Sequence, residues 1–305
     1  MATTTSANLI VPEVWADAVG PTILGRAVIA QFAEVDDELV GQPGETVIFP
    51  KFDYIGDADD LTENVAMTPT TLTMTDSRAT IKEAGKALEL TDTATLTALG
   101  SPNSEGQRQL GLAVARKIDK DLRVAAEVTE TGEDSFGNAK TWAPLKVPAA
   151  NLPMSWGRLV QGIALLGDEY DPADMAGIIV HSTQYAQLLV DPLFTDVSKF
   201  GADATILRGQ VGKIGNMPVI VSDRATAVAD VDPGAETVPG YNALLIRKGA
   251  LALKYKRRPI VETDRDILKR TNLITTNVHY AVKRVDDRGV VVIPTNGVVP
   301  EPVAA

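Results

Sequence analysis

The sequence predicts an α+β fold. Three observations carry this: strand-like runs that alternate or form short apolar blocks, one long stretch with helical period, and no strict alternation of strand with helix. A doubly wound parallel sheet would need that alternation. The 305 residues suit one large or two modest domains, and 45% hydrophobic residues can bury a core. Disorder is not the expectation.

Residues 1–11 are small and polar, then weakly apolar, and read as an arm. Pro12 suits the first turn of a helix carrying Val14, Trp15, Ala18 and Val19, which Gly20 and Pro21 interrupt. A short apolar segment spans 23–32, and GQPG at 41–44 is a turn signal. Residues 46–54 are strand-like. An acidic, turn-rich stretch follows at 56–64, with Asp57, Asp59, Asp60 and Glu63. A second strand-like segment covers 70–90, rich in Thr and broken once at Gly85. Together they predict a long two-stranded hairpin with an acidic tip. An isolated ribbon is marginal in water, and this tip has almost no large apolar side chain. It must lie on a surface, supplied either by its own domain or by a neighbouring copy.

Residues 91–99 read as a short helix closed by Gly100. Ser101 and Pro102 then supply an N-cap and a first-position proline. Leu110, Val114, Ile118 and Leu122 recur every four residues, and Ala125 and Thr129 continue that face. Asp119 with Arg123, and Arg123 with Glu127, supply i,i+4 ion pairs, and Gly132 ends the helix. Residues 102–131 would rise on the order of 45 Å at 1.5 Å per residue. Such a helix is a strut for other elements, or an ordinary long domain helix of the same period.

Residues 132–153 form a loop region, with a domain boundary near 150. Ser155 caps a helix reaching Leu166. Residues 177–181 are a buried strand, and Ser182 caps a helix that turns Tyr185, Leu188 and Leu189 inward. Residues 209–222 read as turn, strand, turn, strand, and 229–240 as an exposed loop. From Tyr241 the chain is strand-rich. Residues 243–246 form one strand. Leu251, Leu253 and Tyr255 alternate with Ala252, Lys254 and Lys256 in a half-exposed one. Strands at 260–263, 275–284 and 290–293 follow, with DDRG at 286–289 as a hairpin turn and a loose tail after Pro294.

The net charge of −11 argues against a surface built to neutralise nucleic-acid phosphates. It permits a container whose wall faces DNA without gripping it. The absence of cysteine excludes disulfides, thiolate catalysis and cysteine zinc sites. His181 and His279, the two histidines, are too few for most zinc or triad chemistry. The N-terminus has no basic region followed by an apolar core, so no signal peptide is expected, and no window approaches 18 apolar residues. A cytoplasmic protein is expected, unless assembly carries it out.

GQVGK at 209–213 has two residues between its glycines instead of four, and Ile214 stands where a phosphate loop needs Ser or Thr. A tight turn before a strand is the reading. Asp57, Asp59 and Asp60 lack the third acid and the glycine of a calcium loop, Leu61 standing at the acidic position, and read as a solvated turn. His181 beside Ser182 is a structural histidine at a strand end, since sequence adjacency is not nucleophile–base geometry. Lys254, Lys256, Arg257 and Arg258 form a basic cluster that faces solvent, pairs with acids of another subunit, or meets phosphate. No catalytic set, cofactor or metal site is predicted, and an enzyme is not expected.

Several stretches together carry a family resemblance. GIIVHSTQYAQLLVDPLF, followed by ILRGQVGKIGNMPVIVSDRA, resembles the axial-domain segment of tailed-phage major capsid proteins. Gly212, Gly215, Pro218, Val219, Ser222 and Asp223 match its glycine-flanked strand-turn element. NALLIRKGALALKYKRRPIVETDRD, then HYAVKRVDDRGVVVI, is similar to the peripheral-domain strands that end those proteins. The resemblance covers nearly the whole chain and rests on the joint order of its segments, since no single motif is diagnostic. It implies a Hong Kong 97-type capsid fold: N-terminal arm at 1–44, E-loop hairpin at 45–90, and spine helix with the first peripheral part at 91–150. The axial domain would occupy 151–240, and the second peripheral part and C-terminal tail 241–305.

The function implied is that of a major capsid protein, self-assembling as hexamers and pentamers into an icosahedral shell around double-stranded DNA in the host cytoplasm. The implied partners are copies of itself, a separate scaffolding protein, a portal and decoration proteins, with DNA enclosed without sequence-specific binding and no membrane. On this reading the hairpin residues Lys51, Asp57, Asp59, Asp60 and Glu63 meet an adjacent subunit, and Gly212, Gly215 and Pro218 shape the axial-domain turn. Two departures stand out. No scaffolding region precedes the arm, which implies a separate scaffolding protein if one is used. Some members cross-link an E-loop lysine to a neighbour's asparagine, but no motif marks Lys51 or Lys82 as reactive. Two alternatives remain. An encapsulin, a nanocompartment of the same fold, would enclose a cargo enzyme. A soluble hydrolase or binding module would form a small fixed oligomer with a deep polar pocket.

Overall fold

The structure is a computed structural model. Residues 1–27, 38, 41–42, 53–54, 57, 59, 61–65, 68, 98–101, 134–136, 138, 150–151, 192–212, 215–216, 224–226, 229–239 and 299–305 lie outside the described residues. The arm, most of the acidic tip, the loop at 229–239 and the turn glycines Gly212 and Gly215 therefore fall outside the description.

In chain order the early strands are β1 (Ala33–Asp36), β2 (Thr46–Phe52), β3 (Met74–Thr80) and β4 (Lys82–Thr91). Helices α1 (Asp92–Thr97) and α2 (Pro102–Glu127) follow, then β5 (Glu130–Glu133), β6 (Ala139–Trp142) and β7 (Leu145–Lys146). Next come α3 (Trp156–Ala164), β8 (Met175–Val180), α4 (Ser182–Val190), β9 (Lys213–Ile214), β10 (Met217–Val221) and β11 (Ala227–Val228). Strands β12 (Gly240–Arg247), β13 (Leu251–Asp266), β14 (Thr271–Arg284) and β15 (Val290–Asn296) close the chain.

Two sheets share the core. A four-stranded sheet has the order β1-β13-β14-β4, and a seven-stranded sheet has β7-β15-β12-β8-β10-β9 with β11 on β12. In the second, β8, β12 and β15 are apolar on both faces, as strands covered on both sides must be. Ile179, Leu244, Ile246, Val290 and Val292 face a core shared with α2. Ile178, Val180, Ala243, Leu245, Val291 and Ile293 face a second core with Leu159 of α3 and Leu188 of α4. Fully burying each Val, Ile or Leu among them contributes about 1.5–3 kcal/mol.

The predicted stripe of α2 is buried: Leu110, Val114, Ile118 and Leu122 pack on Leu251, Leu253, Tyr255, Val278 and Tyr280 of the four-stranded sheet. The helix ends at Glu127, before Gly132, because residues 130–133 pair as β5 with β6. The second hairpin segment breaks at Ile81, not at Gly85. There the chain changes partner, from β2 paired with β3 to β4 paired with β14. Gly85 lies mid-strand, and a Cβ there would come within 2.7 Å of the Thr276 carbonyl oxygen. Residues 82–91 thus belong to the four-stranded sheet.

Residues 286–289 do not turn a hairpin. They link β14 in one sheet to β15 in the other, where β15 pairs with β12 from Gly240–Asn296 to Ile246–Val290. The chain after 241 therefore serves both sheets. The strand at 251–256 is less exposed than its alternation suggests, since Ala252 is covered by the β2–β3 hairpin. The strand at 260–263 is a continuation of β13.

Gly177 in β8 is enclosed: a Cβ would lie 2.8 Å from the Phe32 ring and 2.9 Å from the Pro218 carbonyl oxygen. Gly177→Ala is expected to destabilise the fold by about 1–3 kcal/mol through overpacking, read from denaturant midpoints.

Candidate assembly surfaces

The hairpin is two different objects along its length. Its base is packed: Val47, Phe49 and Ala79 sit on Ala252 and Ala281, and the Lys254 ammonium lies 5.5 Å from the Phe49 ring centre. Ile48 is exposed within the base, and beyond it Ile55, Met67, Leu72 and Met74 are exposed, as is Asp60. Lys51 lies on β2 opposite Thr75 of β3. Asp57, Asp59 and Glu63 lie outside the described residues. Apolar side chains that the other described residues leave uncovered make this a candidate interaction surface.

A second exposed apolar point is the β13–β14 turn. Ile267 and Leu268 stand out in solvent, Leu268 95% exposed. The Asp266 carboxylate accepts from the backbone N–H groups of Leu268 (2.9 Å) and Lys269 (3.0 Å), which holds the turn. The basic cluster is spent within the chain. Lys254 pairs with Asp36 at 2.9 Å, Arg258 pairs with Asp37, and Lys256 donates to the Gly44 carbonyl.

Buried polar side chains fix the frame that presents these surfaces. Asp119 of α2 accepts from the backbone N–H of Val28 (2.9 Å) and Ile29 (3.2 Å), so it ties down the incoming chain and does not pair with Arg123. Asp121 accepts from the Tyr280 hydroxyl at 2.7 Å; burial and this contact push the phenol pKa up. Arg123 donates to Glu127 at 2.7 Å and to the Asn242 carbonyl, joining α2 to the seven-stranded sheet. Arg284 donates to the carbonyls of Ala125 (3.1 Å), Ala126 (3.0 Å) and Val128 (2.8 Å), supplying donors for the last turn of α2.

Around the other core, α4 starts differently from expectation. His181, not Ser182, is the N-cap: its Nδ1 accepts from the Thr183 N–H at 3.2 Å, and its backbone N–H donates to Gln184 Oε1 at 2.8 Å. Gln184 and Gln187 turn inward with Leu188, while Leu189 is exposed. Gln187 accepts from the Met154 N–H (2.7 Å) and donates to the carbonyls of Asn296 (2.8 Å) and Val298 (2.6 Å). The turn residue Pro218 sits on β10 opposite Lys213 of β9, next to the antiparallel Met217–Ile214 pair. Among the described residues no helix is long and apolar enough to cross a membrane, and no cluster of three acids or histidines could hold a metal ion.

The His181 ring stacks on Tyr241 at 3.8 Å. Burial lowers its pKa below the ordinary histidine value, against the pull of Asp223, whose carboxylate is 3.8 Å from Nε2; the nearby Arg123 cation lowers it further. A depressed histidine pKa makes its stability contribution complete above about pH 6.5 and lost as pH falls through the folded value. His181→Asn keeps a cap acceptor. Its unfolding free energy is expected to fall less than that of the native chain between about pH 7.5 and 5.

The family model for phage capsid proteins matches residues 74–293, well over half of the chain. The chain belongs to the phage capsid protein family. Of the two shells that the resemblance left open, the family is the phage one. This capsid protein is 28% identical over 285 residues to the major capsid protein of Staphylococcus phage phiMR11, covering 93% of each chain. Its fold is similar to a solved structure from Mycobacterium phage Che8, with a TM-score of 0.63 at 16% identity, covering 89% of this chain and 92% of that one. It is similar also to the capsid structure of the cyanophage P-SCSP1u, with a TM-score of 0.62 at 12% identity and 88% of each chain covered. The α+β, Hong Kong 97-type fold follows from these likenesses, and the place of such a protein is the virion capsid.

Sequence reasoning missed the residues that hold the capsid protein's frame. Arg284 and Gln187 carry no local motif, and Gln184 completes a capping box whose first residue is His181 in place of Ser or Thr.

Proposed function

We propose that this capsid protein assembles as hexamers and pentamers into an icosahedral shell around double-stranded DNA. It acts as a structural subunit and catalyses nothing. The four-stranded sheet with α2 corresponds on this reading to the peripheral domain and spine helix. The seven-stranded sheet with α3 and α4 corresponds to the axial domain, which then takes in residues 241–247 and 290–296, assigned from sequence to the second peripheral part. A scaffolding protein and a portal complete the assembly, and decoration proteins bind outside.

One observation carries the reading: the hairpin is anchored by Val47, Phe49 and Ala79 at its base, yet leaves Ile55, Met67 and Leu72 uncovered towards its acidic tip. The adjacent subunit is the surface those residues lack. Deleting residues 56–66 is expected to leave a folded monomer that assembles poorly. Size exclusion and negative-stain electron microscopy of the full-length and deleted chains test this. Normal shells from the deleted chain would remove the hairpin tip from the interface. A small fixed oligomer of the full-length chain, even with a scaffolding protein co-expressed, would sink the shell reading.

A further inference from the structure

Helix α2 sorts its charges by face. Each of its four acids is either buried or already bound. Asp119 and Asp121 are buried, Glu105 is held by Arg108 at 2.6 Å, and Glu127 by Arg123 at 2.7 Å. Three cations point the other way: Arg116, Lys117 and Lys120 are exposed, all within about one helical turn. Lys117 reaches back to the buried Asp121 at 2.9 Å. Neither Arg116 nor Lys120 has a carboxylate at ion-pair distance among the described residues.

A solvent-facing helix surface that is stabilised by its own pairs mixes the two signs. This one turns a single sign outward on a chain of net charge −11, so its natural counterpart is a polyanion. The polyanion needs no apolar anchor. Between Ser104 and Lys120 the helix has no exposed large apolar side chain, and the first, Val124, lies beyond the cations. Protein partners draw most of their affinity from such anchors. A duplex backbone offers phosphates, about one charge per 1.7 Å of its axis.

We propose that the Arg116–Lys117–Lys120 stripe of α2 contacts the phosphate backbone of double-stranded DNA. The contact positions the duplex and reads no sequence. It rests on the shell reading above, and it turns the helix face of the four-stranded sheet to the lumen. The opposite face of that sheet carries the hairpin base, on Ala252 and Ala281. Within an acidic wall that repels the duplex, each subunit then supplies one short attractive line. Each line is weak, and its repetition over many copies adds up.

Fluorescence anisotropy of a short labelled duplex, titrated with the full-length chain from about 50 to 200 mM salt, tests this. Three phosphate contacts predict a log–log salt slope of about −2.7. Arg116→Gln with Lys120→Gln is expected to weaken binding about tenfold or more at low salt and to flatten the slope by about 1.8. Lys146→Gln with Arg270→Gln removes the same charge elsewhere on the surface and should leave affinity within about twofold. Circular dichroism checks the fold, and Arg116→Ala with Lys120→Ala replaces the glutamine pair if that chain is unfolded. A native chain that ignores the duplex at low salt overturns the proposal. So does an α2 variant with unchanged affinity and slope, or an equal loss in the Lys146 and Arg270 variant. Polyglutamate bound as tightly as the duplex, through the same two cations, makes an acidic peptide the occupant and also overturns it. Electron microscopy separates this proposal from the shell reading. Normal shells with unchanged duplex binding in the α2 variant leave the shell and remove the stripe. Duplex binding through the stripe by a chain that forms no shells, even with a scaffolding protein, does the reverse.

Discussion

Replacing Arg284 with methionine is expected to destabilise the chain by about 3–5 kcal/mol, the range for removing one partner from a buried charged network. The guanidinium is buried and uses all three nitrogens. Nη1 serves Ala125, Ala126 and Val128, Nη2 serves the Trp142 carbonyl at 3.0 Å, and Nε serves Asp287 at 2.8 Å. Methionine fills much of the volume but satisfies none of these acceptors, and each buried acceptor left without a donor costs about 1–3 kcal/mol. Arg284→Lys keeps the charge but offers a single nitrogen, so it should recover only a minor part. Denaturant unfolding gives the magnitude. Hydrogen exchange gives the place, with faster exchange in the last turn of α2 and in the β5–β6 ribbon before the rest of the fold. A loss under 1 kcal/mol would mean that water replaces the arginine, and that α2 needs no donor from β14.

The contrast between what was and was not legible follows from distance along the chain. The stripe of α2 is a local period, and Leu110, Val114, Ile118 and Leu122 are buried as the spacing requires. The antiparallel pairing of β9 with β10 is local too, as are the apolar blocks of β8, β12 and β15. Partner choice is not local. DDRG at 286–289 has hairpin chemistry, yet the strand after it pairs with residues 240–246, because Val290–Ile293 alternate between two apolar cores. Asp119 has the spacing of a helix-surface pair with Arg123, but surface spacing rules apply to exposed faces, and Asp119 is fully buried. Its partners include two backbone N–H groups about ninety residues earlier. The basic run at 254–258 likewise reads as an open patch. Its acids, Asp36 and Asp37, come with β1, a parallel neighbour more than two hundred residues away.

The junction between the two sheets offers the second large effect. Arg123 is 1% exposed and burial lowers its pKa, yet Glu127 beside it holds the charge in place. Glu127 Oε1 accepts from Arg123 Nε at 2.7 Å, and Oε2 accepts from Asn242 Nδ2 at 2.9 Å. The guanidinium also reaches the Asn242 carbonyl, so one residue of β12 is gripped by both charges. Arg123→Met alone leaves a buried carboxylate without its cation and should cost about 3–5 kcal/mol. Arg123→Met with Glu127→Leu removes both charges and fills the space, so the pair should cost far less than the sum of the single changes. A double-mutant cycle is expected to give a coupling of about 2 kcal/mol or more. The reason to keep a charged pair where an apolar one would hold is directional. Hydrogen bonds to Asn242 fix where along β12 the end of α2 sits, and apolar contact does not. The double variant should therefore fold, melt near the native temperature, and assemble into shells less uniform in size than those of the native chain. Uniform shells from it would show that the register of α2 on β12 is set by the apolar core alone.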